Sequence, residues 1–398
     1  MKPQVHTAAA GLLALLLATA APAQSIAALS LQEALAAALQ HGASQVQTHS
    51  GAPPYQASAW LAGLPSVELS YLDSDQRYGT DEAELNVNLP FKSGRRRKAD
   101  EALLGLATDL DELSLQQRQL YYSGLIREAL WSYRVADIRR RFAADKRRLL
   151  LQLEQRQRDL LAASATSEYA LLLLQTELVD VEIAQQQYLQ AARQWLQRYQ
   201  QVTGLDSMPA DIRESAPPID GFAPGQNPRL RALELAHSQR RQLLRANSAQ
   251  ASDWNLSLTA KNLETAGYDE QQYGLGVEIP LSGLDIARQS DNSEWRAAQR
   301  DYLLARDQLL NELRGSWERL LNERDALQQK QHLLERSEQL TTRIADQLAQ
   351  LQSSNEIAQE IVLRRMMDAV DTKTEVAVNR ALIDQNNVML RQAAGISL

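Results

Sequence analysis

Two pairs of strictly alternating segments interrupt a chain that otherwise reads as helix, and they limit its fold more than any other feature. Between Asp253 and Leu281, Trp254, Leu256, Leu258 and Ala260 alternate with Asn255, Ser257, Thr259 and Lys261. A loop from Glu264 to Asp269 contains Gly267, and then Tyr273, Leu275, Val277 and Ile279 alternate with Gly274, Gly276 and Glu278 up to Pro280. Period-two alternation around a glycine-containing turn predicts a β-hairpin with one apolar and one polar face. Each strand has about ten residues, the length that a tilted strand needs to cross a bilayer. The same figure occurs over 66–91. Val67, Leu69 and Tyr71 are followed by a polar loop and by Ala83, Leu85, Val87 and Leu89, ending at Pro90.

The two prolines lie about 190 residues apart, and so do the helix-ending glycines Gly204 and Gly395. Hairpin and helix end therefore repeat together, as in a duplicated chain. Leu31 to Gln40 reads as a short helix capped by Ser30, with Glu33 completing a capping box. Over 43–64 a helix is expected to be interrupted at Pro53-Pro54. A very long helix is predicted over 95–160, where Leu103, Leu106, Leu110 and Leu113 step by three and four. After a break, a second helix is expected over 168–202. There Leu174, Val181, Tyr188, Trp195 and Val202 recur every seven residues, with Leu178 and Tyr199 at the other seam position. The proline- and glycine-rich stretch 205–226 reads as a linker. Asn227-Pro228 opens a helix to about Ser252, and the second hairpin spans 253–281. Further helices are expected over 285–351 and 356–393. In the first, Leu313, Leu320, Leu327 and Leu334 form a seven-residue series, taken to continue through Leu340, Ile344, Leu348 and Leu351. The resulting division is a secretory signal over 1–23, repeat 1 over 24–204, the linker, and repeat 2 over 227–398. The signal is read from Lys2, an apolar run from Ala8 to Ala20, and Ala21-Pro22-Ala23 as the cleavage site.

Composition narrows the function. A net charge of −7 over 398 residues argues against nucleic acid as a partner. Three Phe and five Met are few for a large globular core. The absence of Cys removes disulfides, thiolate metal sites and a lipid-accepting thiol. Catalytic signatures are missing too: no phosphate-binding glycine loop, no G-x-S-x-G and no H-E-x-x-H. The chain is read as a non-enzyme without cofactor or metal.

Four strands cannot close a membrane barrel, because open edges are not tolerated in lipid and closure takes at least about eight strands. A chain of this kind must assemble. Three copies would supply twelve strands, an even number in the usual range. The helices pose a similar problem: about 65 residues at 1.5 Å each reach roughly 100 Å, too far for a compact domain.

The motifs resemble those of TolC-type outer membrane factors, the exit ducts of tripartite efflux and type I secretion systems. The residues that carry the likeness are Leu31-Gln32-Glu33-Ala34-Leu35, Asn227-Pro228, and the strand-to-helix junctions Leu89-Pro90-Phe91-Lys92-Ser93-Gly94 and Ile279-Pro280-Leu281-Ser282-Gly283. The helix ends at Gly204-Leu205 and Gly395-Ile396 belong with them. The resemblance implies a mainly α fold with a small β part. Two repeats of long helical hairpins would form an α-barrel, and four transmembrane strands per chain would close a twelve-stranded barrel in a homotrimer. It further implies an outer-membrane location with a periplasmic extension, passive gated conduction, and partnership with a periplasmic adaptor protein and an inner-membrane pump. Outer-membrane lipid would surround the strands. The alternative reading is a periplasmic coiled-coil adaptor or scaffold, which carries such a helical hairpin only once.

The breaks between paired helices would be the partner-contacting tips: Ala165, Thr166 and Ser167 in repeat 1, Ser353, Ser354 and Asn355 in repeat 2. Near them Glu177, Asp180, Asp368 and Asp371 are candidate lumen or gate carboxylates, since rings of carboxylates select cations in pores. A solvated helix face carries such residues equally well. Met366-Met367 reads as helix packing before soft-metal passage. Arg95-Arg96-Arg97-Lys98 either solubilises the junction or meets lipid headgroups, the former being the simpler reading.

Overall fold

The computed structural model describes residues 29–45, 58–163, 167–218, 221–280, 289–352 and 359–398. The signal segment 1–23, Pro53-Pro54, Ala165, Thr166, Ser353, Ser354 and Asn355 lie outside them.

The order is α1 (Leu31–Gln45), β1 (Ser66–Leu72), β2 (Thr80–Phe91), α2 (Gly94–Ala162), α3 (Glu168–Thr203), α4 (Pro228–Ala249), β3 (Trp254–Thr265), β4 (Tyr268–Glu278), α5 (Gln289–Gln352) and α6 (Gln359–Ala393). All four strands form one antiparallel sheet in sequence order, with β2 against β3 joining the two hairpins. At 69 and 64 residues, α2 and α5 are each about 100 Å long.

Both long helices leave the sheet together. α4 packs against each of them near the strands; the Arg229 guanidinium reaches Glu312 at 2.9 Å, and Arg231 donates to Gln116 at 3.3 Å. Farther out, α2 pairs with α3 and α5 with α6. The α3 seam is buried at Leu174, Val181, Tyr199 and Val202, and partly buried at Leu178, Tyr188 and Trp195. α1 packs Ala34, Leu35 and Ala38 against Ile126, Ala129 and Leu130 of α2 and Tyr199 of α3. The capping box forms: the Glu33 N–H donates to Ser30 Oγ at 3.2 Å, and the Ser30 N–H to the Glu33 carboxylate at 2.7 Å.

Several expectations are corrected. The first helix does not stop at Gln40 but runs through His41-Gly42 to Gln45. Gly42 suits the helix interior because it lies against the Tyr122 hydroxyl, where a Cβ would be only 1.9 Å away. Residues 58–64 are not helical; Leu61 instead bridges to Phe91. The loop from Glu264 to Asp269 shrinks to a two-residue turn, because Thr265 pairs with Tyr268. Ala266 and Gly267, at φ of 42° and 92°, supply the left-handed pair that tight hairpins use. β2 does not end at Pro90 but continues to Phe91 against Trp254. The Pro90 carbonyl accepts from Ala62 on the β1 side. The N–H that proline lacks belongs on that same side, where β1 has not yet begun. The loss therefore leaves the β2–β3 ladder intact. In α5 the series Leu313, Leu320, Leu327, Leu334 continues through Thr341 to Leu348, whereas Leu340 and Ile344 are exposed at 52% and 41%. A step of six after Leu334 carries Leu340 off the seam; the seven-step residue, Thr341, satisfies its hydroxyl by donating to the Ser337 carbonyl at 3.0 Å.

One buried charge cluster ties distant parts of the chain. Arg127 of α2, 1% exposed, donates to both Glu214 carboxylate oxygens at 2.8 and 2.6 Å, to Gln392 Oε1 at 2.7 Å and to the Ile396 carbonyl at 2.9 Å. Arg391 of α6 reaches Glu214 at 2.9 Å. Glu214 lies in the connection between α3 and α4, so the cluster fastens that connection and the C-terminal segment to α2. Removing one member leaves a buried charge alone. Glu214→Ala is expected to cost about 3–5 kcal/mol. Glu182→Ala, which breaks the half-exposed bridge to Arg147, is expected to cost under about 1 kcal/mol. Thermal unfolding of the purified full-length variants compares the two.

Candidate channel-forming surfaces

The register sorts side chains into rows across the sheet. Val67, Val87, Leu258 and Leu275 form one row; Leu69, Leu85, Ala260 and Tyr273 form the next. Leu89, Leu256 and Val277 lie on the same face. On the other face Glu68, Asn86, Thr259 and Gly274 line up beside Ser70, Glu84, Lys261 and Gln272. Lys261 bridges to Glu84 at 2.9 Å, Asn255 donates to Asn88 at 3.4 Å and Thr259 to Asn86 at 3.4 Å. The polar face thus satisfies much of its own hydrogen bonding across the strands.

The apolar face has no such partner. Leu69 and Tyr273 are 80% exposed and Leu275 71%. Among the described elements no helix packs across the sheet. Phe91 and Trp254 end this face nearest the helices, stacked at 4.2 Å, with Trp60 beyond at 5.4 Å from Phe91. The edge strands β1 and β4 each pair on one side only. Among the described residues no helix is long and apolar enough to cross a membrane.

At the opposite ends of the helices, Ser167 is exposed and extended at the start of α3, and its side chain makes no cap. The other tip residues lie outside the described region. The four candidate carboxylates differ. Asp371 of α6 accepts from Lys146 of α2 at 2.8 Å, joining the two helical hairpins. Asp368 pairs with Arg365 on its own helix at 3.1 Å. Glu177 is half-buried and Asp180 exposed, and neither forms an ion pair among the described residues. Met367 packs against the cluster of Ala143, Leu150, Leu174 and Val181, which puts these parts of α3 and α6 at one level along α2. Among the described residues no three His, Asp or Glu side chains gather as metal ligands.

Sequence reasoning missed the residues that stitch the hairpins. Glu154, largely buried on α2, accepts from Gln175 of α3 at 3.0 Å and from Arg158 at 2.6 Å. Glu335 of α5 accepts from Arg380 of α6 at 2.8 Å and from Gln331 at 2.8 Å. Helical periodicity marks the seam but not which polar flank meets which, so no sequence signal pairs them.

The architecture has counterparts of known structure. VceC, an outer membrane protein of Vibrio cholerae, superposes with a TM-score of 0.64 at 12% identity, covering 92% of this chain and 91% of its own. The fold is that of outer membrane channels. CusC, described as undergoing transmembrane channel formation, matches at 0.60 with 14% identity, over 92% of this chain and 87% of its own. The CmeC outer membrane channel of Campylobacter jejuni matches at 0.59 with 12% identity, over 92% and 83%. No protein-family model and no curated protein sequence matches the chain. The likeness lies in architecture, which the doubled hairpin-and-helix pattern preserves while the side chains change.

The stitching carboxylates respond to pH. Hydrogen bonds, from Gln175 first and then Arg158, hold the Glu154 carboxyl below its ordinary value of 4.5 against the opposing effect of burial. Gln331 and then Arg380 lower Glu335 from 4.5 in the same direction. A lowered folded value means the stabilisation is complete above about pH 4.5 and is lost as pH falls through the lower folded value. Hydrogen-exchange protection over 146–163 and 167–182, taken relative to the intrinsic rate at each pH, is expected to fall in that acid range. Glu154→Gln is expected to flatten this dependence.

Proposed function

We propose that the chain is an outer membrane factor, the exit duct of a tripartite efflux or type I secretion complex. The uncovered apolar face of the sheet carries the reading. A four-stranded sheet with bilayer-length strands, open edges and helices of about 100 Å has no compact resting form in water. In lipid, the apolar rows face acyl chains and the polar rows face a lumen. Each open edge finds its partner in a neighbouring copy, and three copies close a barrel of twelve strands.

In this reading the helices extend into the periplasm as a tube of paired coils. Repeats 24–204 and 227–398 supply equivalent staves, and 205–226 forms a belt around them. The tips at Ala165–Ser167 and Ser353–Asn355 meet a periplasmic adaptor, and through it an inner-membrane pump supplies the energy. The duct itself is passive: it opens when α2–α3 and α5–α6 separate at the tips. Glu177, Asp180, Asp368 and Asp371 lie near that end and would meet cations entering it. An adaptor or scaffold would have to bury the sheet face within its own chain or a soluble partner, which the bilayer-length rows do not suit.

Reconstitution into planar bilayers tests this: a folded oligomer is expected to conduct, and a folded oligomer that never conducts overturns the reading. Fractionation is expected to retain the protein with the outer membrane, where osmotic shock would release a scaffold. The Lys146–Asp371 bridge gives a graded prediction. One partly exposed pair is worth up to about 1 kcal/mol, so Asp371→Ala is expected to raise open probability by no more than about fivefold. Single-channel recording measures it.

A further inference from the structure

The end of the sheet nearest the helices carries a cluster of four cations, of which two, Arg97 and Lys98, have no ion-pair partner among the described residues. Arg95, Arg96, Arg97 and Lys98 occupy the first turn of α2, which contains no acidic residue. Cations there oppose the helix dipole, whose positive end they share. The chain answers part of this charge. Arg96 pairs with Asp253, and Lys92 just before the helix donates to Asp100 at 2.6 Å and to the Ser58 carbonyl at 2.7 Å. Arg97 and Lys98 are exposed and form no ion pair among the described residues. Other basic runs, such as Arg139-Arg140-Arg141 and Lys146-Arg147-Arg148, lie along the helices; this one lies at the end of the sheet, and its unpaired members leave room for an anionic counterpart.

Geometry indicates what that counterpart is. Arg95, Arg97 and Lys98 share a cavity of about 570 Å³ with Trp60, Phe91 and Trp254. Phe91 and Trp254 terminate the apolar rows of the sheet, and Trp60 is 54% exposed. From the sheet toward the helices the order is therefore aliphatic side chains, aromatic rings, then cations. A glycerophospholipid presents the complementary order: acyl chains, glycerol esters, phosphate. Aromatic rings favour the interfacial level, and basic groups near a membrane surface favour anionic lipids.

We propose that this cleft binds the headgroup of an anionic glycerophospholipid, such as phosphatidylglycerol, from the leaflet nearest the helices, with Arg97 and Lys98 on the phosphate and the Trp60–Phe91–Trp254 rings against the glycerol region. The inference rests on the reading of the sheet as membrane-spanning and adds a lipid preference to it. A zwitterionic headgroup is disfavoured, because its ammonium would enter a field already positive from uncompensated side chains and the helix terminus.

Native mass spectrometry of the full-length protein in detergent, titrated with phosphatidylglycerol or phosphatidylethanolamine, reads the preference directly. Wild type is expected to retain phosphatidylglycerol more strongly. The variant R97Q/K98Q is expected to lose on the order of tenfold of that preference. R240Q/R241Q, which removes the same charge from exposed positions on α4, is expected to keep it. Equal retention of the two lipids by wild type, or an unchanged preference in R97Q/K98Q, overturns the proposal. Displacement of phosphatidylglycerol by excess inorganic phosphate would assign the cleft to free phosphate and overturn it as well. Should R97Q/K98Q not fold, salt titration of wild type decides: phosphatidylglycerol retention is expected to fall with salt while phosphatidylethanolamine retention does not, and a salt-independent preference overturns the proposal. Failure of the duct reading is distinguishable, since it would show as a folded oligomer without conductance; a conducting protein without lipid preference sinks only this inference.

Discussion

The structure depends on a sheet that its own chain leaves incomplete. In the hairpins the ladder satisfies backbone groups on the inner sides of β1 and β4, while the outer sides face away from every other described element. In water those groups are solvated; in a bilayer each one left bare costs several kcal/mol. The apolar rows have the opposite preference, gaining when water is removed. No single-chain environment satisfies both demands. The proposed ring of copies in lipid would, because it pairs the edges and coats the rows at once.

No described helix packs across the apolar face of the sheet, and burial lies instead in seams running lengthwise along α2–α3 and α5–α6. The buried set mixes small residues such as Ala34, Ala38, Ala129 and Ala192, which allow close helix approach, with leucines such as Leu113, Leu150 and Leu174 and the occasional ring, Trp131 and Tyr199. A seam of this kind offers modest burial per residue. Polar stitching across its flanks, by Glu154 with Gln175 and Glu335 with Arg380, and the buried Arg127–Glu214 cluster fix the register of helices that could otherwise slide by a turn.

Periodicity made much of this legible. Alternation at Val67, Leu69 and Tyr71 and at Tyr273, Leu275 and Val277 marked the strands, and the seven-residue recurrence of Leu174, Val181, Tyr188, Trp195 and Val202 marked a helix seam. What escaped was set by neighbours distant in sequence. Arg127 meets Glu214 across 87 residues and Gln392 across 265, separations at which one sequence carries no pairing signal. Leu340 and Ile344 mislead because apolar residues at near-heptad spacing look like seam, while the seam itself accepts Thr341. Pro90 misled because proline was read as a strand stop, although its missing donor falls where no partner strand is present.

The carboxylates proposed for the lumen are of another kind. Asp368, satisfied by Arg365 on its own helix, and Asp371, satisfied by Lys146 across the hairpins, differ by three positions and in role, yet composition treats them alike. Only the second couples the hairpins to each other. A charge that bridges two units contributes to the free energy of one relative to the other, whereas one paired within a single helix contributes nothing between them. Of the two pairs, therefore, the Lys146–Asp371 bridge is the one that can bias the placement of one hairpin against the other, and so the opening of the duct proposed above.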